Sequence, residues 1–209
     1  MDIKVFGSSS FVLRECGGYT LNENRLRWKW MVALDDMLML VRHLAAIAIL
    51  PFTVAVLVPF WIGRQYHVAL LPGSSAAQIV SQIAGVAALA IGSLLFCWSL
   101  RHFAAQGRGT LAPWDPPKAL VIDGPYRYVR NPMISGVLFI LFGEALVLVS
   151  WPHARWALFF LCLNAVYIPL LEEPLLEQRF GEPYRLYRRH VRRFIPRTQP
   201  WVPDGGTAA

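Results

Sequence analysis

The chain reads as an all-α, polytopic transmembrane protein of about four spans with a cytosolic C-terminal helical tail, and three observations predict it. Of its 209 residues 56% are hydrophobic and only 16% charged, with a mean hydropathy of +0.42, a balance that excludes a disordered chain and disfavours an ordinary soluble domain. Four runs are apolar enough to cross a hydrocarbon core of roughly 30 Å, which takes about 20 helical residues. The basic residues lie in blocks between these runs, so the formal charge of +7 points to a membrane surface and not to nucleic acid.

Residues 1–43 form a cytosolic or interfacial segment in which Arg25-Leu-Arg-Trp-Lys-Trp30 mixes cations and indoles beside the first span, as an interfacial anchor does. No removable targeting segment is expected there, because no apolar stretch of signal-peptide type occurs. Residues 44–100 hold two spans, Leu44–Ile62 and Gln78–Leu100; Pro51 and Pro59 in the first remove backbone donors and predict a kink or an early end. Residues 101–132 form a Gly- and Pro-rich cytosolic loop. Residues 133–171 carry two more spans, Met133–Ser150 and Arg155–Leu171, joined by Trp151-Pro-His-Ala154 and therefore folded as an antiparallel hairpin. Residues 172–209 are the tail. Lone strand edges cannot cross a bilayer, so these runs are helices.

Orientation follows from the cations. Residues 1–42 hold six Lys and Arg, the loop five and the tail seven, whereas the 63–77 and 151–155 connections hold one each. The positive-inside rule then puts both termini in the cytosol, for a bacterial inner membrane or the endoplasmic reticulum alike. Cys16, Cys97 and Cys162 are far apart with no CxxC, so they read as reduced thiols, and no metal site is expected.

Within the loop, Gly107-Arg-Gly109 is no dinucleotide fingerprint; the Arg, Trp and Tyr content fits an ordered loop on the membrane face and equally a basic, aromatic interfacial belt. Glu172 and Glu173 follow the fourth span directly. Buried and unpaired they would be costly, so they face water or a cation, or simply end the span. Gly181 and Pro183 divide the tail into two short helices, and Tyr184, Tyr187 and Val191 recur at helical spacing, a stripe that packs on protein or membrane while Arg185, Arg188, Arg189, Arg192 and Arg193 meet lipid phosphate. Glu144, in mid-span, is either a functional residue or protonated and hydrogen-bonded, with Asn164 across the hairpin as the candidate partner.

Taken together, Gly124-Pro-Tyr-Arg-Tyr-Val-Arg-Asn-Pro132, a hairpin, and then Glu172-Glu173-x-x-Leu-x-x-x-x-Phe180-Gly-x-x-Tyr184-x-x-Tyr187-x-x-x-Val191 resemble the isoprenylcysteine carboxyl methyltransferase family and the wider group of membrane phospholipid methyltransferases, over roughly residues 78–197. The resemblance implies an S-adenosylmethionine site with cofactor contacts at Lys118, Ala119, Leu120, Val121, Tyr126, Asn131, Pro132, Met133, Ile134 and Glu172, with Tyr184 and Tyr187 as pocket or lid groups and Glu172, Glu173 and Arg188 beside the reacting groups. A carboxylate suits a ribose diol, and aromatic or apolar walls suit adenine. Two positions depart from the family. Asn131 stands where it usually has His, which removes a histidine acid–base role, and Ile168 stands where the prenylcysteine enzymes have an acceptor-associated Arg. The implied acceptor is therefore a lipophilic small molecule or lipid-modified substrate, drawn from membrane lipids, and not specifically a prenylated protein. A sterol-type reductase using NADPH and a non-catalytic membrane protein are the alternative readings.

Overall fold

The protein's structure, a computed structural model, describes residues 48–68, 75–106 and 119–202, all in one compact unit. The anchor segment at residues 25–30 and Lys118 lie outside the described residues. What is described is helical, with no strand. A π-helical stretch, Ala48–Leu57, runs into α1 (Val58–Gln65); α2 (Ala76–Gln106), α3 (Pro132–Val147) and α4 (Trp151–Tyr167) follow, and a π turn, Ile168–Glu172, leads into α5 (Glu173–Phe180) and α6 (Glu182–His190). Among the described residues two continuous helices, Ala76–Gln106 and Trp151–Phe180, are long and apolar enough to cross a membrane, while Pro132–Val147 is apolar but shorter.

These helices are built inside out relative to a soluble core. In the apolar window of each long helix only 17% of residues are buried, and on α2 the buried positions are Gly85, Gly92 and Ser99 while Val80 and Leu94 are 66% and 72% exposed. Large side chains face outward and small ones face the neighbour. Lipid is as apolar as leucine, so helices in a bilayer gain by close backbone approach rather than by hiding leucine. Gly85 and Gly92, seven apart, meet Gly143 and Gly136 of α3, also seven apart. A Cβ on Gly92 would stand 2.7 Å from the Gly136 carbonyl oxygen, and one on Gly143 would stand 2.9 Å from that of Gly85. At the seam's far end Ser81 Oγ and Gln82 Nε2 donate to the Leu146 and Val147 carbonyls, at 3.0 and 3.4 Å, tying the C-terminal end of α3 to α2.

Three local expectations change in detail. The early end, one of the two expectations for Pro51 and Pro59, does not occur: Pro51 sits in the π-helical stretch and Pro59 in the first turn of α1, which continues from that stretch through a helical Leu57. The hairpin reversal is Leu148-Val149-Ser150 and not Trp151–Ala154, because Pro152 is accommodated in the first turn of α4. Glu144 and Asn164 do not pair, since antiparallel helices put them at different heights; Asn164 Nδ2 donates to Phe160 O of its own helix at 2.8 Å. The π stretch and α3–α4 close over a small apolar core of Ala55, Val137, Leu141 and Ala157, and Trp156 Nε1 donates across it to Val54 O at 3.1 Å.

Candidate functional site where the tail meets the loop

The C-terminal end of α2 fixes the loop. Asp123 is held by Arg127 at 2.9 Å and by Gln106 Nε2 at 3.0 Å, with His102 3.8 Å away. The backbone N–H of Gly124, helped by Gln106 and the Arg127 cation, holds the Asp123 carboxyl below the usual range. Gly124 has φ +56°, and a Cβ there would lie 2.5 Å from the His102 ring, so both backbone and space demand glycine. The chain then makes a 3₁₀ turn, Gly124–Arg127, that buries Pro125 and Tyr126, and enters α3 through Asn131.

The tail lies back along this loop. Arg130 N donates to Arg192 O, Asn131 N to Arg193 O, Arg197 N to Tyr128 O and Trp201 N to Arg127 O, at 2.9 to 3.3 Å. The predicted break at Gly181 is present, with φ +60°. The stripe on α6 packs on protein: Tyr184, Tyr187, Val191 and Trp201 are buried against Leu120, Ile122, Leu176 and Phe180. Tyr187 Oη donates to Tyr126 O at 2.7 Å, so the two motifs, far apart in sequence, touch. Burial pushes the phenols of Tyr126, Tyr184 and Tyr187 up, which keeps them protonated donors at neutral pH.

The adjacent glutamates have separate surroundings. Glu173 forms a two-point pair with Arg193, at 2.7 and 3.0 Å, and meets Arg130 at 3.0 Å; its side chain is 4% exposed and that of Arg130 10%. Arg188 adds a contact at 3.8 Å while bonding Glu177 at 3.1 Å. Arg130 also donates to Tyr184 Oη at 3.4 Å. A buried carboxylate with this many cations is ionised and fully engaged. The Glu172 carboxyl makes no hydrogen bond or ion pair with any described residue, yet it interacts at longer range with Arg130 and with the Tyr126 and Tyr184 phenols.

Of the positions named from sequence, Leu120, Tyr126, Asn131, Glu172, Glu173, Tyr184, Tyr187 and Arg188 meet around this junction. Val121 is buried beside it and Ala119 is half-buried. Pro132, Met133 and Ile134 form the first turn of α3, whose N-terminus no side chain caps, since Asn131 Nδ2 turns to Arg193 O at 3.5 Å. Sequence reasoning missed Arg130 and Arg193 as partners of Glu173, and Trp201 as core. Arg185, Arg188 and Arg193 turn to carboxylates rather than to lipid phosphate; only their basic character was visible in the sequence. Ile168 is buried at the start of the π turn, so no cation takes the place of the arginine.

Comparison with known families matches residues 80–183 to phospholipid methyltransferase. Over these residues the chain belongs to that family. Its members are membrane methyltransferases, and the matched stretch contains α2 from residue 80 onward, the loop, the hairpin and both glutamates. The tyrosine stripe and Arg193 lie beyond it. No curated protein and no solved structure matches the chain with significance.

Proposed function

We propose that this membrane methyltransferase takes its methyl group from S-adenosylmethionine and passes it to a lipophilic acceptor at the junction of loop and tail, on the cytosolic face. The observation that carries the reading is the unlike environment of Glu172 and Glu173. Glu173 with Arg130 and Arg193 ties the tail to the site, and Glu172, beside Tyr126 and with its carboxyl not hydrogen-bonded to any described residue, is free to accept from a ribose diol or an ammonium group.

The residues present fit the cofactor in three further ways. The backbone of Leu120, Val121 and Ile122 makes no hydrogen bond to a described residue, so its edge is available to an adenine ring. The α3 N-terminus offers unpaired amides to a carboxylate. Arg127 Nε and Arg130 Nε are buried donors without partners. The bound cofactor would supply an electrophilic sulfonium methyl; the chain would supply positioning and exclusion of water. With no histidine at 131 and an amide there instead, an ammonium, thiol or phenol acceptor would lose its proton to Glu172 or to solvent.

Calorimetric titration of the detergent-purified protein with S-adenosylhomocysteine, with NADPH in parallel and Glu172→Ala as the variant, tests this. Saturable binding of the homocysteine that is lost in the variant is the expected result. NADPH binding in its place would establish a reductase, and binding of neither by folded protein would leave a non-catalytic role.

A further inference from the structure

At the opposite end of the bundle, between α1 and the hairpin, lies a cavity of about 390 Å³. Glu144 reaches it from α3, thirteen positions beyond Asn131 and so roughly 20 Å along the helix axis from the loop and tail. Its Oε2 is buried and has no hydrogen-bond partner among the described residues. An acceptor of this kind costs several kcal/mol in hydrocarbon unless a donor reaches it. His153 does not supply that donor: its Nε2 bonds Pro59 O at 3.1 Å and its Nδ1 bonds Ser150 Oγ at 2.7 Å. The carbonyl accepts only, so Nε2 carries a proton, and with Nδ1 engaged by the hydroxyl the ring has no free edge for Glu144 and ties α4 to α1.

Two further ionisable groups line the cavity, the Glu144 carboxyl and Arg64. Arg64 is exposed, lies 5.9 Å from the Phe60 ring centroid, and has no ion pair among the described residues. The rest of the wall includes Phe60, Val68 and Leu148. Close in sequence to the lining residues, Trp61, Tyr66 and Trp151 are well exposed, as aromatic residues are at the level of lipid headgroups. One anion acceptor, one cation acceptor and apolar walls, at headgroup depth, match one kind of molecule. We propose that this cavity binds a zwitterionic phospholipid of the leaflet opposite the methyl-transfer site, its ammonium on Glu144, its phosphate on Arg64 and its first methylenes on Phe60 and Leu148. The site is independent of the methyltransferase reading.

The test is the thermal midpoint of the full-length protein in detergent, titrated with short-chain phosphatidylethanolamine, with the same lipid acylated on its amine, and with phosphatidylglycerol of the same chains. Phosphatidylethanolamine should raise the midpoint saturably, with S-adenosylhomocysteine present or absent, and the other two should do so at least tenfold more weakly. Glu144→Gln, which keeps the side chain's size, should weaken the first titration about tenfold, as loss of a charge-assisted bond does. Arg64→Gln, at an exposed position, should weaken it as well. Equal response to the amine-acylated lipid, or unchanged titrations in both variants, would overturn the proposal. So would a response abolished by Glu172→Ala and kept in Glu144→Gln, which would put the lipid at the tail instead.

Discussion

The α2–α3 seam and the loop–tail junction are both tightly closed, and they are closed by opposite means. Along the seam the contacts are glycine backbone against glycine backbone, at spacings where even a methyl group has no room. At the junction the contacts are ion pairs around Glu173 and a tyrosine cluster. The difference follows from the surroundings. A lipid-facing helix gains nothing by burying leucine, so it gains by close approach, whereas outside the hydrocarbon an aromatic core is driven together by water and a charge cluster fixes its register. Shape holds the scaffold, and chemistry holds the site.

The largest effect should come from breaking the seam. Gly92→Ile places atoms against backbone that cannot swing away, so the cost should exceed the roughly 1–3 kcal/mol of ordinary overpacking; folded protein should be lost on size-exclusion chromatography. Next is Glu173→Gln, which leaves Arg130 and Arg193 without their shared anion and should cost about 3 kcal/mol, the low end for a buried pair because Arg193 is partly exposed. Hydrogen exchange should then rise in residues 184–201 and stay unchanged at Gly85 and Gly92. If exchange rose in both regions alike, the two would not be separate units of stability.

Tyr187→Phe removes one buried bond to Tyr126 O and should cost about 1 kcal/mol, with weakened S-adenosylhomocysteine binding, because Tyr126 is no longer held from behind. The smallest effect is of pH. Burial raises the phenol pKa values of Tyr126, Tyr184 and Tyr187 in the folded state, while unfolded phenols ionise near 10. The folded protein therefore retains protons that the unfolded chain loses, and tail stability should hold to about pH 9 and fall above about pH 10. Tyr126→Phe should make that fall shallower. The seam's four glycine contacts carry no titratable group and should be indifferent over the same range.

Much of this was legible from local pattern. Apolar runs marked the helices, Gly181 and Pro183 marked the break in the tail, and Tyr184, Tyr187 and Val191 marked the face that is buried. The arginines were not legible: Arg188, Arg189, Arg192 and Arg193 look alike in sequence, yet Arg193 closes on Glu173 while Arg189 and Arg192 stay exposed. Nor could periodicity separate Glu172 from Glu173, because adjacent residues on a helix point about 100° apart and which direction meets cations depends on what packs there.

By itself, then, the sequence determined the elements, their apolar faces and the two motifs that mark a methyltransferase, since these depend on the order of residues within one helix or loop. Only the tertiary structure decided which glycines meet, which carboxylate is neutralised and which is left open, and that Glu144 faces a cavity instead of Asn164. Those pairings join α2 to α3, the loop to the tail and α1 to the hairpin. They depend on helix height and rotation, quantities set by close packing between distant segments and not by any single stretch of chain.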